Sequence, residues 1–151
     1  MSKTWILLAN SRHARLFERD SRSREFIELA DFINPDDVTM RQMVAGEHHG
    51  SAVKGHGPAA HIGTQFEPRT DIDEKACRGF ARDVAARLNK GVVNHQCDWV
   101  SLIASSQMLG ELRALLSDAA MEKLHGSVAS DLTRYQGLEL RQRISEALVT
   151  V

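Results

Sequence analysis

Only two cysteines occur in the 151 residues, Cys77 and Cys97, and they form no CxxC pair. Two thiols cannot build the disulfide framework of a small secreted domain, so both are expected to be reduced and structural. Aromatic residues make up 5% of the chain, too few for a platform on which nucleic-acid bases stack. Charge of one sign is also missing. Lys and Arg number 19 against 20 Asp and Glu, a formal net charge of −1. No global field therefore draws the chain to nucleic acid or to an anionic membrane. DNA is not an expected partner, and any RNA contact has to come from a local patch. Long apolar runs are absent: nothing approaches the roughly 20 residues of a membrane span. The apolar run at residues 5–9 is shorter than the roughly 7–15 residues of a signal-peptide core. The expectation is a cytoplasmic protein that does not touch membranes.

What is present is ordinary globular material, 42% hydrophobic and 26% charged, in a length that suits one domain over residues 1–151. Three strands are expected first, at residues 4–10, 13–19 and 25–32. The second alternates, with Ala14 and Leu16 on one face and Arg15, Phe17 and Arg19 on the other. Residues 38–44 can make one helical turn. Residues 45–70 then carry four histidines, five glycines and two prolines, which reads as a loop longer than routine connections. A helix is expected from Asp71, where Glu74 completes a capping-box pattern, to a stop at Gly91. Its buried stripe would be Ile72, Ala76, Phe80, Val84 and Leu88. A strand at 99–104 follows, then a helix capped by Ser105-Ser106. Ser117 opens a further short turn closed by Gly126, Val128 centres a last strand, and residues 137–149 form an amphipathic helix. The order β-β-β-α-β-α-β-α predicts a single α/β domain: a mixed sheet with helices on its faces, in a ribonuclease-H-like topology.

Several residue groups could carry chemistry. His48, His49, His56 and His61 lie close together in the 45–70 segment and could gather Zn²⁺, with Glu47 or Asp71 as an oxygen ligand. Their spacing matches no compact ligand motif, and a solvated polar loop explains them more simply. Otherwise no cofactor is expected. Lys75, Arg78 and Arg82 share one helix side and, with Lys54 and Arg69, could form a basic strip for RNA phosphates, or only a solvated face. Ser105 and Ser106, at a strand-to-helix junction, could offer N–H groups to an anion, although serine there is more simply a cap. A two-metal nuclease needs a carboxylate at the end of the first strand. Asn10 stands there instead, with Asp31 and Asp131 as the other acids in reach. No GxSxG elbow exists.

The motifs Trp5-Ile6-Leu7-Leu8-Ala9, His13-Ala14-Arg15-Leu16-Phe17, Glu67-Pro68, Asp71-Ile72-Asp73-Glu74 and Phe80-Ala81 resemble those of the bacterial host attachment proteins. So do Leu102-Ile103-Ala104, Leu109-Gly110-Glu111-Leu112-Arg113 and Ser130-Asp131-Leu132-Thr133. This family is described as required for attachment to host cells. The resemblance implies a relation to the middle domain of archaeal and eukaryotic class 1 release factors and Pelota. There a Gly-Gly-Gln loop before a long helix promotes peptidyl-tRNA hydrolysis. Here the 45–70 segment holds that place, but Gly55-His56-Gly57 and Gly63-Thr64-Gln65 do not reproduce the tripeptide, and relatives commonly carry proline where Ser105-Ser106 stands. The resemblance thus implies a non-catalytic intracellular binding domain, with ribosome or tRNA as partner and Gln65 among its contact residues. A metal-dependent hydrolase on the histidines, and an indirect role in attachment, are the alternatives.

Overall fold

The computed structural model describes residues 2–23, 25–36 and 58–149, with side chains from Ile72 onward in the last stretch. The first strand, β1 (Lys3–Ala9), is apolar at five successive positions and is buried on both faces, as a central strand must be. It pairs antiparallel with β2 (His13–Asp20), which pairs antiparallel with β3 (Phe26–Ile33). The chain returns through α1 (Pro58–Val93) to β4 (Trp99–Ala104), parallel to β1. Next come α2 (Ser106–Leu115), α3 (Asp118–Glu122), β5 (Leu124–Ala129), parallel to β4, and α4 (Gly137–Val149). The sheet order is β3-β2-β1-β4-β5. This is the expected α/β domain with a mixed sheet, and nothing in the order conflicts with a ribonuclease-H-like topology.

Alternation along β1 divides the core in two. Trp5, Leu7 and Ala9 join Ala14, Leu16 and Leu102 under α1 and α2. Ile6 and Leu8 face the other way, with Phe17, Ile103, Leu140 and Ile144 under α4. Each fully buried Leu or Ile contributes about 1.5–3 kcal/mol, so the two faces together hold the layers. Asp98 ties β4 to the start of β1, accepting from the Lys3 N–H at 2.8 Å. Asn89 of α1 accepts from Ser117 N and donates to Leu115 O, fixing the α2–α3 corner.

The long helix departs from expectation at both ends. From Pro58 onward the segment expected to be a loop is helix, and Gly63 and Pro68 lie inside it. Pro58 takes the first helical position, where a missing N–H has no partner to lose. Asp71 and Glu74 match a capping box in pattern, but a helix already running through them has no free end there to cap. Ile72 is 41% exposed and stands off the stripe that Ala76, Phe80, Val84 and Leu88 bury. At the other end the helix passes Gly91 and closes at His95, whose φ of 56° supplies the left-handed residue. Gly91 instead makes room for a neighbour, since a Cβ there would lie 2.1 Å from the Trp5 ring. Gly126, expected to end a helix, lies within β5 opposite Ser101. The turn expected at 38–44 lies outside the described residues.

Candidate functional site

In an open α/β sheet ligands gather outside the carboxyl ends of parallel strands, where successive connections leave in opposite directions. That point lies here between β1, which leads to β2, and β4, which leads through α2 to β5. Asn10 follows β1, Ser105 follows β4, and Ser130 and Asp131 follow β5. Backbone bonds close this edge: Ser105 N donates to Ala9 O at 3.0 Å, and Ser130 N to Ala104 O at 2.9 Å.

Asn10 uses its whole carboxamide locally. Its Nδ2 donates to Asp131 Oδ2 at 2.9 Å and to Thr133 Oγ1 at 3.1 Å. Its Oδ1 accepts from the N–H groups of Arg12 and His13, both at 2.8 Å. Thr133 in turn donates through its N–H and hydroxyl to Asp131 Oδ1. Burial pushes the Asp131 carboxyl up, but the bonds from Asn10 and Thr133, with Arg134 nearby, outweigh it and hold the group below the usual carboxylate range. A bridging metal needs free acceptor oxygens, and at the end of β1 the one side-chain oxygen of Asn10 is already engaged by two N–H groups. Beside this clasp Arg15 is buried in the sheet. It grips Glu28 with two bonds of 3.0 and 3.1 Å and donates to the carbonyls of Thr133 and Tyr135. His13 pairs with Asp31 across β2 and β3. The acids considered for a nuclease therefore sit on separate partners, Asp31 on His13 and Asp131 on Asn10.

Sequence reasoning misses Arg15. Its signal in the sequence is a charged residue between the apolar Ala14 and Leu16, but only the fold shows its acceptors 118 and 120 residues later.

The other expected residues fall in different places. Lys75, Arg78 and Arg82 are exposed on α1, and Arg78 lies 3.9 Å from Glu74 one turn earlier. His61, Gln65 and Arg69 lie on the first part of α1, where only the backbone is described. His48, His49, Lys54 and His56 are outside the described residues. No group of three His, Cys, Asp or Glu side chains converges as a metal set among the described residues. Ser105 precedes α2 in extended backbone but makes no side-chain cap bond, contrary to the expected cap. Ser117 does cap its helix, accepting from Ala120 N at 3.1 Å. Cys77 and Cys97 are both free and buried.

The family described as "Protein required for attachment to host cells" matches residues 5–144. The chain belongs to this family. The match runs from β1 into α4, so the sheet, the Asn10–Asp131 clasp and the Arg15–Glu28 pair all lie within the family's domain. No curated protein matches the chain. Among the described residues, no helix is long and apolar enough to cross a membrane.

Proposed function

We propose that this host attachment protein is a non-catalytic binding domain that works inside the cell and contacts RNA, on the ribosome or as tRNA, through α1 and the segment before it. One observation carries the reading: Lys75, Arg78 and Arg82 form an exposed basic row on α1. The row begins where the helix comes off the core, because side chains 72–75 are all exposed and burial begins at Ala76. Such a row neutralises phosphates without reading sequence. The resemblance to release factors, in which a glycine-rich loop precedes a long helix, supports the same surface. The saturated clasp at Asn10 supports binding over catalysis at the strand ends. Attachment to host cells, the role the family's description states, would follow indirectly on this reading.

Co-sedimentation with ribosomes at low and high salt tests it. The wild type should pellet with ribosomes at low salt and be released at high salt, since each phosphate contact adds to the salt slope. The triple variant Lys75→Gln, Arg78→Gln, Arg82→Gln should remain in the supernatant at both. A wild type absent from the pellet at both salts refutes the proposal, as does a triple variant that pellets like the wild type.

A further inference from the structure

We propose that a second site, on the α4 face at the opposite end of the sheet, binds the phosphate group of a small phosphomonoester. It does not rest on the RNA reading, because none of its residues belongs to α1. A cavity of about 370 Å³ opens there, within the size range of ligand pockets. Its polar lining residues are Arg19, His125, Thr4, Ser21 and Ser101, and Ile6 and Leu148 are its apolar ones.

The cavity follows from the strands. Thr4, Ile6 and Leu8 alternate onto the α4 face, as do Ser101 and Ile103. Ile6, Leu8 and Ile103 are covered by Leu140 and Ile144. Thr4 and Ser101 lie nearer the amino ends of β1 and β4, toward the last turn of α4, where Leu148 borders the cavity. A hydroxyl thus stands at position 101 of the apolar strand β4, and Ser101 is 4% exposed. A register shift adds the donor on the far wall. Val100 pairs with Leu124 and Ser101 with Gly126, leaving His125 as the extra residue of a bulge, a device that re-aims a side chain. The His125 ring rests against Trp99 at 5.0 Å.

Charge selects the ligand. The guanidinium of Arg19 is propped over the Phe26 ring at 5.8 Å, and no carboxylate pairs with it among the described residues. Glu18 and Asp20, its neighbours in β2, turn to the other face, where they border a separate cavity with Lys3 and Asp98. No acid lines the Arg19 cavity among the described residues. A cationic fork with three hydroxyls and no carboxylate suits a phosphate dianion, whose oxygens accept from guanidinium and hydroxyl groups together. The apolar surface beside it leaves room for the organic part.

The proposal is tested by titrating the full chain with AMP, inorganic phosphate, adenosine and a short single-stranded RNA without a terminal phosphate. Calorimetry gives the affinity, and amide NMR shifts give the location. AMP should bind saturably and shift the amides of Thr4, Arg19, Ser101 and Gly126, with phosphate weaker at the same residues. Arg19→Gln and Ser101→Val should each weaken AMP at least tenfold, and Lys75→Gln/Arg78→Gln should leave it unchanged. Arg19 stands on the cavity wall outside both cores, so Arg19→Gln decides alone if Ser101→Val does not fold. No saturable AMP binding up to about 10 mM overturns the proposal. So does adenosine binding as tightly as AMP, RNA competing AMP off these residues with higher affinity, or unchanged affinity in Arg19→Gln.

Discussion

Replacing Gly91 by alanine sets two effects of opposite sign against each other. Within α1, alanine is favoured over glycine by about 0.8–1.0 kcal/mol. Against this, the new Cβ would lie 2.1 and 2.3 Å from two carbons of the Trp5 ring, where ordinary contact is about 3.5–4.0 Å. Ring or helix has to move by more than about 1 Å to restore that spacing. Trp5 is poorly placed to yield. It is 1% exposed, its Nε1 donates to Glu18 at 3.2 Å, and Arg87 lies over the ring at 4.7 Å. Overpacking of this kind costs about 1–3 kcal/mol, and a hydrogen bond to a charged group adds about 1.5–3 kcal/mol if it is lost. The steric side wins, and Gly91→Ala should lose about 2 kcal/mol net. In a domain of this size that lowers Tm by about 4–8 °C. Gly79→Ala and Gly110→Ala are the controls, since a Cβ at either position meets nothing within 4 Å. Each should be neutral or stabilising by up to about 1 kcal/mol. Adding Trp5→Leu to Gly91→Ala should give less than additive loss, with a coupling of at least about 0.5 kcal/mol. A Gly91→Ala protein that melts at or above the wild type would refute the close docking of α1 on β1.

The remaining expectations concern the clasp and the thiols. Arg15→Met strips Glu28 of its partner and leaves the Thr133 and Tyr135 carbonyls without their donor. It should cost about 2–4 kcal/mol in denaturant unfolding, and a loss below about 1 kcal/mol would contradict the geometry. Asp131 has a folded pKa below 3.8. Its stabilisation is complete above that ordinary value and disappears as pH falls through the lower folded one. The deficit of Asn10→Ala should therefore be largest above about pH 4 and shrink on acidification; a deficit constant down to about pH 2 argues against the bond. Burial pushes the Cys77 thiol up and the Cys97 thiol up to about 11. A disulfide reagent at about pH 8 should label neither in the folded protein and both after denaturation, whereas rapid labelling of either would contradict its burial.

Where local pattern decides an element, the sequence is enough. Residues 99–104 and 137–149 match β4 and α4 end to end, and the first three strands match within one residue at each end. The errors arise where a local signal has a second cause. Glycine, proline and histidine between 58 and 70 look like a loop, although Pro58 opens a helix. Gly91 looks like a stop, although Trp5 from another element accounts for it. The site is less legible for the same reason. Asn10 and Asp131 are noticeable singly, but their bond joins positions 121 apart. Arg19 and His125 line one cavity, and the bulge that makes His125 the extra residue of its strand is absent from any local pattern.

The central place of β1 also governs how this protein can fold. Its second edge, the parallel one, waits for β4, so Thr4 stays unpartnered on that side until Trp99 exists. The Asn10 amide waits longer still, for Asp131. Non-local closure of this kind slows folding, because loop entropy is lost before the contacts form. During synthesis β1, buried on both faces in the finished sheet, thus emerges well before β4 and stays open on that edge until β4 follows. It is the segment that a chaperone would be expected to engage.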